Sequence, residues 1–328
     1  MFSNFKGLGK EKLAPAAISP PAAAAAAAAA PVQAQAVSQA PVADSRATKL
    51  NIAGFEIEGV SIAGQETCII VPRFKLAFDS GRCPQRAVHQ QTLLISHGHL
   101  DHVGGVPFHV SSRCLLAVAP SKVVVPPVLV DGVNAMMEAT KILQGNPSTE
   151  FELIPLDVGE DLVLPGGHIT RPFKTTHSIP SQGYVVYSQR KKLKTALQGM
   201  KADEIRDLRL SGVDVTDTFE IPEIAFTGDT TADFLNEPGK MLEDVLRARL
   251  LIIEMSFIDD DVTVEQARGK GHMHIADFAA HAHRFHNEAI LLIHFSSRYK
   301  RAAIEEALNT HLPPALRAKC VPFLNGFE

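Results

Sequence analysis

The chain has 328 residues, 45% of them hydrophobic, which is enough to bury the core of one large domain or two smaller ones. A formal net charge of −4 excludes a globally basic nucleic-acid coat, so contact with an anionic partner has to come from a local patch. Apart from an alanine tract near the start, no apolar run reaches the roughly 18 residues that a membrane helix requires, and no membrane partner is expected.

Residues 1–46 form an Ala/Pro segment of low complexity, with Pro20-Pro21, the run Ala22 to Ala30 and Pro31. With almost no large apolar side chains, it cannot offset its ordering entropy and reads as a disordered tail. Ser3, Ser19 and Ser38, together with Lys6, Lys10 and Lys12 and few acids, also match the composition of an organelle transit peptide. A tail without an address puts the protein in the cytoplasm or nucleus, and a transit peptide puts it in a plastid or mitochondrion. The four cysteines, Cys68, Cys83, Cys114 and Cys320, form no C-x-x-C pair and read as reduced core thiols.

From residue 47 to 328 the pattern is that of one folded domain. Thr67 to Val71, Lys75 to Phe78, Thr92 to Ile95, Val123 to Val125 and Gly183 to Tyr187 are short apolar runs bounded by turn residues and predict strands. Later, Ile275, Phe278, Ala279, Ala282 and Phe285 fall on one face of a predicted helix, which would also carry His281, His283 and His286 on its solvated side. Strands come first and then alternate with helices, so the class is α/β or α+β with stacked layers. Residues 189–222 stand apart. Arg190, Lys191, Lys192, Lys194 and Lys201 precede the first acid, Asp203, and predict either a projecting basic insertion or a charged face.

Directly after the Thr92 to Ile95 strand comes Ser96-His97-Gly98-His99-Leu100-Asp101-His102. Imidazole nitrogen and carboxylate oxygen are donors that Zn2+ accepts, and one turn carrying four of them can serve two ions. Gly98 permits a tight turn, and Gly104-Gly105 lets the next segment fold close by. Three later strands also end in a donor: His177 after Ile169 to Thr175, Asp229 after Ile224 to Phe226, and His294 after Ile290 to Ile293. Catalytic groups at the carboxyl edges of strands are aimed by a rigid element and remain open to solvent. His97, His99 and His177 would hold one ion, Asp101, His102 and His294 the second, and Asp229 would bridge both. Two ions so placed supply a hydroxide nucleophile near neutral pH and stabilise charge developing on oxygen. Asp101 is a candidate base. His272, in Gly271-His272-Met273-His274, is the favoured general acid over His274, and Glu254 at the end of Leu250 to Ile253 would orient it.

These residues define a two-metal hydrolase, and the same donors also suit a thioesterase or a small-molecule phosphodiesterase. A non-catalytic RNA-binding or dimer-partner protein is the alternative from a different class. Around the site, the chain resembles tRNase Z, the tRNA 3′-processing endoribonuclease, in its short plant and algal form. The resemblance rests on Phe78-Asp79-Ser80-Gly81-Arg82-Cys83-Pro84-Gln85-Arg86-Ala87, His97 to Gly105, Ser181 to Tyr187, Ala225 to Thr231, Gly271 to Ile275 and Leu291 to Tyr299. It implies a metallo-β-lactamase fold, an αββα four-layer sandwich, with two zinc ions per subunit and a homodimer. It also implies cleavage of precursor tRNA after the discriminator nucleotide, leaving a 3′-hydroxyl on the tRNA and a 5′-phosphate on the trailer. The family's metal ligands map onto His97, His99, Asp101, His102, His177, Asp229 and His294, and its catalytic histidine onto His272. Its tRNA-gripping exosite corresponds to the basic segment from Arg190 to Lys201, although the long glycine- and proline-rich arm of many bacterial members is not evident.

Overall fold

The computed structural model describes residues 49–145 and 149–328, and the tail expected over residues 1–46 lies outside them. Strands β1 (Leu50–Ile52), β2 (Phe55–Ala63), β3 (Glu66–Val71), β4 (Leu76–Phe78), β5 (Thr92–Leu94), β6 (Ser121–Val125) and β7 (Phe151–Pro155) cross a first sheet in chain order. A second sheet takes up β8 (Leu162–Val163), β9 (Ile169–Lys174), β10 (Gln182–Leu193), β11 (Thr216–Phe226), β12 (Leu250–Glu254) and β13 (Ala289–Ile293). The short β14 (Phe295–Ser296) returns to pair with β2, and β15 (Cys320–Pro322) closes the second sheet beside β13. Helices α1 (Leu100–Val103), α2 (Val106–Leu115) and α3 (Val130–Gln144) belong to the first half, and α4 (Ala202–Leu210) lies between β10 and β11. The second half adds α5 (Lys240–Arg247), α6 (Val264–Gly269), α7 (Ile275–Ala280), α8 (Arg301–His311) and α9 (Pro314–Arg317).

Successive side chains on a strand face opposite ways, and that alternation builds the layers. On β12, Leu250 and Ile252 meet Phe55, Ile69 and Leu94 of the first sheet. Leu251 and Ile253 turn the other way, onto Val245 of α5, Phe278 of α7 and Ile304 and Leu308 of α8. The first sheet mirrors this. On β3, Ile69 and Val71 face the second sheet, while Cys68 and Ile70 join Val106 and Val110 of α2 and Val133 and Met137 of α3. Each fully buried Leu, Ile or Phe contributes roughly 1.5–3 kcal/mol, so strands apolar on both faces are stable only between such layers. The arrangement is the expected αββα sandwich.

Strand direction then gathers the chemistry. Strands β4, β5, β6 and β7 are mutually parallel, as are β11, β12, β13 and β15. Since β9 and β11 are both antiparallel to β10, β9 points the same way as β11. The residues that follow β4, β5, β9, β11, β12 and β13 therefore emerge at one edge. Tyr184 on β10 locks the two sheets together there: its hydroxyl donates to the Ile95 carbonyl at 2.7 Å and accepts from the Gln182 amide at 3.0 Å.

Two expectations change. The helix predicted through Phe285 stops at Ala280, where His281 leaves helical geometry and its ring bonds the Asp277 carbonyl at 2.8 Å. A 3-10 turn, Ala282–Arg284, follows, and Phe285 is buried in extended conformation with its ring 4.8 Å from that of Phe278. Thus His281, His283 and His286 do not share a helix with the apolar stripe. Cys68, Cys83 and Cys320 are buried free thiols, whereas Cys114 is only partly buried.

The basic segment continues the two core strands. After a register shift between Val186 and Tyr187, β10 and β11 stay paired out to Leu193 opposite Thr216, with Arg190, Lys191 and Lys192 exposed. Acids answer part of this charge: Lys192 lies opposite Asp217 in the ladder, and Lys194 Nζ is 3.8 Å from Asp214.

Replacing Tyr184 by Phe strands the buried Ile95 carbonyl and should lower the free energy of unfolding by about 1–3 kcal/mol. Denaturant titration checks this, and an unchanged midpoint would remove the inter-sheet bond from the account.

Candidate metal centre

β5 delivers the first donors in a fixed direction because Ile95 is still hydrogen-bonded to β6 through the Val124 carbonyl. Ser96 is then fastened to Asp79, the residue that follows β4. Its N–H and its hydroxyl donate to the two carboxylate oxygens at 2.7 and 2.8 Å. With its proton spent there, the Ser96 hydroxyl oxygen accepts from His97 Nδ1–H at 2.9 Å and leaves His97 Nε2 as a free lone pair. His99 caps α1, so Asp101 and His102 lie on the first helical turn. His102 donates Nδ1–H to Asp79 at 2.7 Å, and Asp101 Oδ2 accepts the Gly64 N–H at 2.9 Å.

The donors from later strands are fixed in the same way. His177 donates Nδ1–H to the Gly271 carbonyl at 2.7 Å, and His294 bonds the Ser256 hydroxyl at 3.1 Å through Nδ1. His294 itself adopts φ 60°, an uncommon left-handed backbone for a residue with a side chain, right where β13 must turn its donor inward. Gly228 has φ 61°, and a Cβ there would lie 2.6 Å from the Ser96 side chain, so only glycine lets Asp229 approach the loop.

Each imidazole thus spends or points one nitrogen outward and presents the other to a common space. His99 Nδ1 is 3.1 Å from both His97 Nε2 and His177 Nε2, and His102 Nε2 is 3.3 Å from His294 Nε2. Asp229 Oδ2 sits among them, 3.8 Å from His97, 4.0 Å from His177, 3.4 Å from His102 and 3.5 Å from His294. Asp101 Oδ2 is 3.6 Å from both His102 and His294. Three overlapping donor groups result: His97, His99, His177 and Asp229; Asp101, His102 and His294; and Asp229, His272 and His294.

The donors fit divalent ions on this structure's own terms. Asp229 Oδ1 is buried without a hydrogen-bond partner, a costly state unless a cation is its partner. Nitrogen lone pairs facing one another at hydrogen-bond distance likewise call for positive charge between them. Burial drives the His97 pKa down to about 2, with the neighbouring His102 adding to the effect, which keeps its ring neutral as a ligand must be. Burial pushes the Asp229 carboxyl up, but the surrounding His102 and His294 rings outweigh it and hold the group well below the usual carboxylate range.

His272 stands beside this cluster. Its Nδ1 is 3.1 Å from Glu254 Oε1 and 3.9 Å from Asp229 Oδ2. Glu254 is fully buried and also accepts from Thr230 N–H at 2.6 Å and Met273 N–H at 3.1 Å, so it is a fixed support for that ring. Burial lowers the His272 pKa, but Glu254 more than reverses this and carries it to about 9. His274 is a cap: its Nδ1 accepts the Ala276 N–H at 3.1 Å and its Nε2 donates to the Asp259 carbonyl at 3.0 Å. Sequence reasoning missed Asp79, Ser96 and Ser256 as orienting groups. Asp79 obeys the same strand-end rule that pointed to the candidate donors, since it directly follows β4.

Arg190, Lys191, Lys192, Lys194 and Lys201 are not brought to the cluster. Gln182, at the near end of β10, bonds the Ser96 carbonyl at 3.1 Å. Ten residues of strand, roughly 33 Å at 3.3 Å per residue, separate Lys192 from it.

No protein-family model matches the chain. It is 45% identical over 278 residues to tRNase Z TRZ1 of Arabidopsis thaliana, a match spanning 85% of this chain and 98% of that protein. It is 44% identical over 279 residues to the chloroplastic tRNase Z TRZ2 of the same plant, spanning 85% of this chain and 78% of that one. Among solved structures, the metallo-beta-lactamase fold protein YhfI from Bacillus subtilis aligns with a TM-score of 0.52 at 13% identity, over 82% of this chain and 95% of that one, a likeness of fold.

Asp79→Asn keeps the shape but replaces the carboxylate behind His102 with an amide. Metal affinity, measured by competition with a chromophoric chelator, is expected to fall about 10- to 100-fold. Affinity equal to the parent would show that Asp79 does not tune the site.

Proposed function

The chain belongs to the tRNase Z family, and from that premise we propose that it is a zinc-dependent endoribonuclease that removes the 3′ trailer from precursor tRNA. The observation that carries the reading is the convergence of six donors on a seventh, the buried carboxylate of Asp229 with its unpaired oxygen. His97, His99 and His177 would hold one zinc ion, Asp101, His102 and His294 the other, and Asp229 both. Bound there, the ions would supply a nucleophile near neutral pH and stabilise charge on the phosphate oxygens.

The chain's own residues account for positioning and proton traffic. Hydrolysis after the discriminator nucleotide breaks the P–O3′ bond and joins a water oxygen to phosphorus, so one proton must leave the water and one must reach O3′. Asp101, a member of the second donor group pinned by the Gly64 N–H, would accept the proton that leaves the water. His272 holds a proton on an imidazole braced by Glu254 and would deliver it to O3′, the role of a general acid. The products are a tRNA 3′-hydroxyl and a trailer 5′-phosphate. The cations of the segment from β10 to α4, exposed Arg190, Lys191, Lys192 and Lys201 and half-buried Lys194, would contact phosphates of the tRNA body, orienting it without reading sequence. A catalytic domain over residues 47–328 acting as a homodimer completes the reading.

His97→Ala or Asp101→Ala should abolish trailer removal while tRNA affinity stays close to the parent's. Full cleavage by either variant contradicts the metal assignment. His272→Ala should lower kcat by about 100-fold or more with little change in KM, whereas an effect confined to KM makes it a positioning residue. Charge reversal at Lys191, Lys192 and Lys194 should weaken pre-tRNA binding and flatten its dependence on salt. An unchanged salt slope would exclude this segment from the RNA contact.

A further inference from the structure

The basic arm, made of the outer ends of β10 and β11, leaves the second sheet at a defined break. β10 keeps β9 as a neighbour only as far as Tyr187 opposite Ile169, and β11 keeps β12 only from Ile224 onward. Residues 188–193 and 216–221 therefore pair with each other alone. Such a two-stranded ribbon is marginally stable by itself and has no third strand to set its direction. The break is a bulge: Val186 faces Ile224 and Tyr187 faces Pro222, which leaves Glu223 as an extra residue without a partner in the ladder and bends the strand there.

Two charged braces hold this bend. Arg171, on β9, reaches across β10: its Nε and Nη2 donate to the two oxygens of Asp161 at 2.5 and 2.8 Å, and its Nη1 and Nη2 donate to Glu220 at 3.2 and 3.3 Å. Glu220 stands at the foot of the ribbon, opposite Gln189. The guanidinium lies over the Tyr187 ring at 4.9 Å, and the Tyr187 hydroxyl donates to Asp244 of α5 at 3.0 Å. The Arg171 and Glu220 side chains are 17% and 29% exposed, so salt screens this pair less than a surface one. The second brace holds the bulged residue. Glu223 accepts from the Ser188 hydroxyl at 2.6 Å and from Arg249 Nη1 at 3.2 Å, and Arg249 Nη2 donates to the Ala53 carbonyl, between β1 and β2, at 2.9 Å.

We propose that Arg171 is a positioning residue: it fixes the angle of the arm to the donor edge, and with it the angle of a tRNA body held by the arm, so that one phosphodiester bond is presented for cleavage. The proposal rests on the endonuclease reading. Arg171 suits the role by its place as well as its bonds, because β9 ends at Lys174 and His177 follows. The strand that braces the arm is the one that delivers a donor. A guanidinium is what the place requires, since its planar fork can meet two carboxylates at once and an ammonium cannot.

The test uses the zinc-loaded full chain with a 5′-labelled pre-tRNA and, separately, with bis-p-nitrophenyl phosphate. Arg171→Gln should leave turnover of the small phosphodiester and affinity for tRNA close to the parent's. On pre-tRNA it should lower kcat about 10- to 100-fold, the cost of a misplaced bond, and spread the cuts over neighbouring bonds. Glu220→Gln should give the same defects, and the double variant should be no worse than either single one, because both changes remove the same brace. A single sharp product at the parent's kcat from both single variants would overturn the proposal, as would additive losses in the double variant. Small-substrate turnover lost together with tRNA cleavage would make Arg171 a support of the fold and equally contradict it. Cleavage of pre-tRNA by the parent reads the endonuclease assignment separately, so variants that match a cleaving parent refute the brace alone.

Discussion

A carboxylate buried at 2% exposure with one oxygen unpaired is the constraint around which this molecule is organised. Asp229 can be ionised there only if positive charge meets it, and burying such a group otherwise costs several kcal/mol. The rest of the edge provides for that. Five imidazoles turn a nitrogen toward the same space, and four of them have the opposite nitrogen held by Ser96, Asp79, the Gly271 carbonyl or Ser256. The hydrogen bonds act on orientation, and the strands act on position. Neither would suffice alone, because a ligand aimed correctly from a loose loop loses affinity as readily as a misaimed one from a rigid strand.

Why two sheets are needed follows from the same arrangement. The first sheet supplies His97, His99, Asp101 and His102 and their anchor Asp79, and the second supplies His177, Asp229, Glu254 and His294. The centre is completed only when the sheets pack. The Tyr184 hydroxyl on the Ile95 carbonyl joins them one residue before the donor loop begins, so core packing and donor geometry are coupled at that point.

Much of the centre was legible in the chain because its information is local. Four donors within six residues need no tertiary knowledge, and the strand-end rule extended the set to His177, Asp229 and His294. Glu254 beside His272 could be read because each sits next to a recognisable element. Asp79 was passed over because it orients the His102 ring from behind and is not in the donor cluster itself, and serines as common as Ser96 and Ser256 carry no spacing signal. The overlong helix has a different cause. Apolar periodicity reports burial, not hydrogen bonding, and Phe285 is buried in extended chain just where a longer helix would have buried it. The acids facing the basic arm were invisible for a third reason: Asp217 and Asp214 meet Lys192 and Lys194 only through the pairing of β10 with β11.

The central claim is that these donors cut precursor tRNA just after the discriminator nucleotide. It is tested most directly by incubating the zinc-loaded full chain with a 5′-labelled pre-tRNA bearing a 3′ trailer and mapping the new end at single-nucleotide resolution. The account predicts one product ending in a 3′-hydroxyl at the discriminator, lost when a chelator strips the metal. A pre-tRNA left intact by metal-loaded enzyme that still hydrolyses bis-p-nitrophenyl phosphate, or a cut elsewhere in the chain, would contradict it.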